Sequence, residues 1–179
     1  MTNFPNAYVS YLTEFHASRD FFECHELLEE YWKEHPGDAL AEAWVGLIQL
    51  AVALYHQRRG NFRGALMMFG QAERKLSADA LDRLCIERES LQAELAERIE
   101  ALKGGEPLVY ADMNLRITSD RLSALCLAQC EERGWTWGAP SPMKDDSIVH
   151  RHKLRDRTDV IAARREAYDA KIKERGGSS

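Results

Sequence analysis

With 179 residues, a net charge of −5 and 30% charged side chains, the chain has the composition of a globular protein long enough to bury a real core. Met1-Thr2-Asn3-Phe4-Pro5 has neither the basic nor the apolar region of a signal peptide. The longest run without Asp, Glu, Lys or Arg in the helical region, 43–57, is shorter than the roughly 20 residues of a membrane span, so a cytoplasmic protein is expected.

Helical periodicity dominates the first hundred residues and predicts helices at about 5–17, 20–35, 38–59, 61–77 and 78–103. Asp20 is placed to cap the second and Asn61 the fourth, and Gly60 suits the left-handed turn that ends the third. Pro36-Gly37-Asp38 separates helices two and three, and the short loops favour antiparallel neighbours. Residues 1–105 are expected to form a helical core domain, closed by Lys103-Gly104-Gly105-Glu106-Pro107. Residues 106–179 then form a C-terminal helical appendage. In it, 108–116 can hold a short extended segment, Thr118 or Ser119 can cap a helix to about Arg133, and Trp135 and Trp137 must pack against something. A last helix is expected over about 158–174. From His150 onward nine Lys and Arg stand against five Asp and Glu, so a basic tail follows an acidic body.

Segments 20–31 and 61–72 repeat at a spacing of 41 residues: Asp20 matches Asn61, Phe21 matches Phe62, Cys24 matches Ala65 and Leu28 matches Phe69. With Ala65-x-x-x-Phe69 and Ala72, the pattern predicts an all-α, antiparallel bundle of stacked, tetratricopeptide-like (TPR-like) hairpins.

On a helical wheel His25 and Glu29 fall inside the apolar arc of Phe21, Leu28 and Trp32, while Glu23, Glu26, Glu30 and Lys33 take the opposite, solvated side. His25 aligns with the apolar Leu66 of the repeat, so an imidazole occupies a packing slot. In the third helix Gln49, Val52 and His56 follow one stripe. Antiparallel packing could gather His25, Glu29, Gln49 and His56 in one layer, with Tyr55 and Trp32 lining the space.

Three readings of that layer are open. It can be a satisfied buried network, a pocket for a small ligand or peptide, or a site where His25, Glu29 and His56 hold a divalent transition metal. Two histidines and a carboxylate suit zinc or non-haem iron, but neither Glu-x-x-His nor His-Glu-x-x-His occurs. Gly60-Asn61-x-x-Gly64-Ala65 serves a tight turn and close helix approach. Arg58 and Arg59 beside it can pair with the acidic face or bind an anion. Cys24, Cys85, Cys126 and Cys130 lack Cys-x-x-Cys spacing and read as reduced, mostly buried thiols; Cys126 and Cys130 share a face, which leaves a metal or redox role open.

The run from Phe21 to Trp32, then Gly46-Leu47-Ile48-Gln49-Leu50-Ala51, Tyr55-His56 and Gly60-Asn61-x-x-Gly64-Ala65, resembles the signature of the domain of unknown function 309 family over about residues 8–76. The tail, with Ile148-Val149-His150-x-His152 and Asp156-Arg157, resembles its longer, Bacillus-type members. The resemblance implies a small, helical, bacterial, cytoplasmic protein and brings no activity, cofactor or substrate. Its motif positions are His25, Glu26, Glu29, Trp32, Gln49, His56, Asn61 and Gly64.

A binding or scaffolding module with a His/Glu/Gln polar layer is therefore expected, with a protein or small molecule as partner rather than nucleic acid or membrane. The first alternative is a metal-dependent, hydrolase-like enzyme using His25, Glu29 and His56, with Glu26 or Tyr55 as base or donor. The second is a regulatory protein that contacts nucleic acid or an acidic partner through the basic tail.

Overall fold

The computed structural model describes residues 3–105 and 109–151, together with Arg165 and residues 168–170. Most of the helix expected over 158–174, and most of the basic tail, lie outside the described residues. The described chain is all-helical, with α1 at Asn6–Thr13, α2 at Phe21–Glu34, α3 at Ala41–Arg58, α4 at Phe62–Lys75, α5 at Ala78–Arg83, α6 at Arg88–Lys103, α7 at Asp120–Arg133 and α8 at Asp146–Val149. Among the described residues the only β-type pairing is an isolated antiparallel bridge between Ile86 and Ile117.

α3 is the centre of the packing, with α2 and α4 against it; α1 lies on α2 and α7, and α6 on α4. That position explains why α3 is apolar nearly all round, burying Trp44, Leu47, Leu50, Leu54 and Tyr55 together. α2 and α4 begin alike. The Asp20 carboxylate accepts the Glu23 N–H at 3.1 Å, and the Asn61 side chain accepts the Gly64 N–H at 3.1 Å. The cap backbones are nearly identical, φ −83°, ψ 80° at Asp20 and φ −84°, ψ 78° at Asn61, and each helix then runs 14 residues. Gly60 takes φ +84° as expected, and Ser119 caps α7 by accepting the Leu122 N–H at 3.2 Å.

Two elements differ from expectation. The helix expected over 78–103 is broken into α5 and α6, because Cys85 turns left-handed at φ 59°. The freed backbone groups find partners far along the chain: Thr118 N–H donates to the Cys85 carbonyl at 2.9 Å, and Glu87 N–H to the Arg116 carbonyl at 2.8 Å. The Tyr8 hydroxyl donates to the Leu84 carbonyl at 2.7 Å, and the Glu87 carboxylate caps α6. The first helix, expected to run evenly to 17, widens into a π-helical turn at Glu14–Ser18 and ends at Arg19, a non-glycine residue at φ 59°.

The described stretch 109–151 is fastened to the helices. Met113, Leu115, Leu122 and Cys126 belong to the same buried cluster as α1–α6. Trp137 stacks on buried His16 with ring centres 4.2 Å apart. Arg19 donates to the carbonyls of Met113 at 2.9 Å and Ala139 at 2.8 Å, and to Asn114 Oδ1 at 2.8 Å. No described helix is long and apolar enough to cross a membrane.

A candidate binding pocket between helices α2 and α3

One turn of α2 and the last two turns of α3 enclose a pocket of about 250 Å³. Its lining is Phe21, Phe22 and His25 from α2 and Val52, Tyr55, His56 and Arg59 from α3 and its C-cap. The wall is almost wholly apolar and aromatic, as the walls of small-molecule sites largely are. A depression along Glu23, Glu26, Glu29, Glu30, Lys33 and Glu34 is larger, but α2 alone lines it, so nothing encloses a ligand there.

Each imidazole is oriented by one neighbour. His25 Nε2 lies 2.8 Å from Glu29 Oε2, and the other Glu29 oxygen takes a 2.9 Å ion pair from Lys33. Lys33 first, and His25 after it, hold the Glu29 carboxyl below its ordinary range, so Glu29 is an acceptor and the His25 proton sits on Nε2. The Nδ1 lone pair is left over, with Glu26 Oε1 at 3.9 Å, beyond hydrogen-bond length. At His56 the logic is reversed. The Asn61 oxygen is committed to the Gly64 N–H, so its amide nitrogen faces His56 Nδ1 at 3.3 Å and donates to it. Neutral His56 therefore carries its proton on Nε2. Burial, and after it the charge of Arg59, lowers the His56 pKa and keeps the ring neutral.

Gly64 completes this arrangement. A Cβ there would stand 2.8 Å from Asn61 Nδ2 and 3.1 Å from His56 Cδ2, so alanine collides with both partners. Asn61→Ala is expected to cost about 1 kcal/mol through the lost cap. Gly64→Ala should be near neutral, because a gain of about 1 kcal/mol in helix propensity offsets the damaged cap. In both variants the His56 side-chain nitrogen shifts, read by NMR, should move toward mixed tautomers; an unchanged His56 spectrum in both would show that Asn61 does not set the ring.

The structure thus brings His25, Tyr55 and His56 to one pocket, with Glu29 and Asn61 behind them and Glu26 beside His25. Gln49 lies apart: its amide donates to Gln71 Oε1 on α4 at 2.9 Å, and its own oxygen is buried without a partner. Trp32 is 37% exposed and does not line the pocket. The layer expected to be buried is only half so, since the His25 side chain is 25% exposed. Among the described residues no group of three or more His, Cys, Asp or Glu side chains stands ready to hold a metal ion. Cys24, Cys85, Cys126 and Cys130 are free thiols, and burial pushes Cys126 up to about 12, which leaves it protonated and unreactive.

Arg58 and Arg59 part company. Arg59 lies over the Tyr55 ring, 5.5 Å from its centre, at the pocket. Arg58 is buried: it donates to the Arg19 carbonyl at 2.7 Å, Ser141 Oγ at 3.2 Å and the Ile148 carbonyl at 3.4 Å, and lies 4.6 Å over Phe21, which lines the pocket. Arg151 pairs with Asp20 and Glu23 and lies 6.0 Å from the Phe22 ring centre. His16, Arg19 and the burial of Arg58 escape sequence reasoning because their partners are backbone carbonyls and amides of distant residues.

Residues 8–68 match the family described as domain of unknown function (DUF309). The uncharacterized protein YpuF of Bacillus subtilis (strain 168) is 41% identical over 177 residues, covering 96% of this chain and 99% of its own. The chain belongs to the DUF309 family. Every residue lining the pocket, and Asn61 and Gly64 behind it, falls inside the stretch that matches the family. No solved structure matches.

Proposed function

We propose that this DUF309 protein is a binding module for a small ligand, seated in the pocket between α2 and α3. One observation carries the reading: an apolar chamber presents two imidazoles whose tautomers are set from behind by Glu29 and Asn61. Orienting a ring in this way has a use where a ligand must be met by a lone pair at one place and an N–H at another. At about 250 Å³ the space is below the roughly 300–1,000 Å³ typical of larger ligands, so the ligand is small and largely apolar. Arg59 supplies positive charge at the rim and favours an anionic group on it.

The scaffold that holds the pocket is read as TPR-like stacked hairpins, supported by the matched caps and equal lengths of α2 and α4. A cytoplasmic setting is supported by four free cysteines, which suit a reducing compartment.

The test is side-chain NMR of the histidines during titration with benzoate, phenylacetate and phenylpyruvate. His25 and His56 should shift together with at least one of them. Val52→Trp, which fills the chamber from a half-buried lining position, should abolish the shifts while leaving the fold intact. If no compound moves both imidazoles, the pocket is not the binding site.

A further inference from the structure

We propose that the cavity enclosed by residues 114–117, α7 and Trp137 is a second binding site, which takes a small aromatic carboxylate. It shares no lining residue with the pocket between α2 and α3, so it stands apart from the ligand read into that pocket. Its volume of about 530 Å³ falls within the roughly 300–1,000 Å³ of small-molecule sites. The stretch Asn114 to Ile117 forms one side, Ser123 and Leu127 of α7 another, and Trp137 a third. Polar atoms make up a substantial part of the wall, and no Asp or Glu among the described residues lines it.

The polar side chains of that wall hold unspent donors. Arg19 donates to Asn114 Oδ1 at 2.8 Å, which identifies that atom as the oxygen and leaves both N–H groups of the amide over. Among the described residues the exposed Arg116 guanidinium makes no hydrogen bond or ion pair, and the Ser123 hydroxyl and Trp137 indole N–H donate to nothing. Glu87, whose N–H binds the Arg116 carbonyl, spends its own carboxylate on the Glu89 and Ser90 N–H groups at 3.0 Å each. Donors grouped around one fixed positive charge select an anion, and the planar guanidinium fork matches a carboxylate. One guanidinium balances one negative charge. A phosphate dianion would bring a second, uncompensated charge against the apolar walls.

The body of the ligand follows from those walls. Trp137 is stacked on His16 with ring centres 4.2 Å apart and planes 17° apart, and His16 is pinned by the Leu12 carbonyl and the Leu115 N–H. The indole is thus a rigid, preorganised surface, which favours a flat aromatic ring over a flexible chain. Leu127, apolar yet 52% exposed, lines the same cavity and gains cover when the ring docks.

The experiment titrates the full chain with 2-naphthoate and with its neutral counterpart 2-naphthalenemethanol, followed by proton–nitrogen NMR. The reporters are the Trp137 indole N–H, identified by its loss in Trp137→Phe, and the amides of Ser123 and Leu127. Naphthoate should move all three in a saturable way with a Kd of about 1 mM or tighter, as expected for a ligand of its size. The alcohol should bind the wild type at least about ten-fold more weakly, and so should naphthoate bind Arg116→Gln, the loss of one charge-assisted hydrogen bond. Leu127→Glu places a carboxylate in the wall from an exposed helix position and should abolish binding with melting unchanged. Equal binding of acid and alcohol overturns the proposal, as does binding that survives both substitutions. Naphthoate that moves nothing, or only His25 and His56, also overturns it and leaves the pocket between α2 and α3 to be judged on its own test. Tighter binding of acetyl-Gly-Gly-Phe than of naphthoate would assign the site to a peptide C-terminus and overturn the small-molecule class.

Discussion

Replacing Arg19 by alanine is expected to remove about 4 kcal/mol of stability, the largest single-residue effect anticipated outside the apolar core. The guanidinium is 1% exposed and makes three hydrogen bonds of 2.8–2.9 Å to Met113, Asn114 and Ala139. Each charge-assisted bond contributes about 1.5–3 kcal/mol, and the Met113 carbonyl would be left buried without a donor. Arg19 also takes the left-handed conformation at φ 59°, which costs a non-glycine residue about 1 kcal/mol or more. Glycine separates the two effects. Arg19→Gly relieves the backbone but loses the bonds, so it should recover only about 1 kcal/mol relative to Arg19→Ala. Denaturant melts of both variants provide the measurement. If Arg19→Ala lies within about 1 kcal/mol of wild type, the arginine does not fasten the segment after residue 105 to the helices.

Acidification should weaken the fold by about 3 kcal/mol between pH 7 and pH 4 through His16 alone. His16 is 1% exposed; its Nδ1 donates to the Leu12 carbonyl at 2.8 Å, and its Nε2 accepts the Leu115 N–H at 2.9 Å. Protonation would turn that acceptor into a second donor facing a donor. Burial, followed by the nearby charge of Arg19, lowers the His16 pKa from 6.5 to about 4. A depressed folded-state value means that the unfolded chain binds the proton more readily. The stabilisation is therefore complete above pH 6.5 and is lost as pH falls toward 4, at about 1.4 kcal/mol per unit of difference. Glu14 acts in the opposite direction, since burial raises its pKa and acid relieves the cost of burying its charge. Comparing wild type with His16→Gln, both of which carry Glu14, isolates the histidine. Stability of the wild type should fall more steeply than that of His16→Gln from pH 6.5 to 4.5. Parallel curves would show that His16 does not titrate with unfolding.

The parts of the fold that were legible in the sequence are those governed by local chemistry. Asp20, Asn61 and Ser119 cap helices because a short acceptor side chain reaches an N–H three residues on, wherever the helix later packs. That His25 lies on the side of α2 facing α3 was legible for the same reason, since helical spacing fixes the face on which a residue lies; Glu29, expected beside it, instead sits half-exposed against Lys33 in the outer row of acids. Gln49 marks the limit of that argument. Its stripe on α3 is shared with Val52 and His56, but α3 is covered on two sides, and Gln49 meets Gln71 of α4 instead of the pocket. The break at Cys85 had no glycine or proline to announce it; it exists because the backbone at 116–118 supplies the missing hydrogen bonds.

The sequence by itself determined the helical class, the caps at Asp20, Asn61 and Ser119, the family and the two histidines worth asking about, because period, capping and motif all act within a few residues. Only the tertiary structure decided which of those polar side chains share a chamber and which atom of each ring is left over. It alone decided that Arg19, Arg58 and His16 join the N-terminal helices to the stretch between residues 113 and 148. Their long-range partners lie 39 to 120 residues away and are mostly backbone groups, which carry no signature in the sequence.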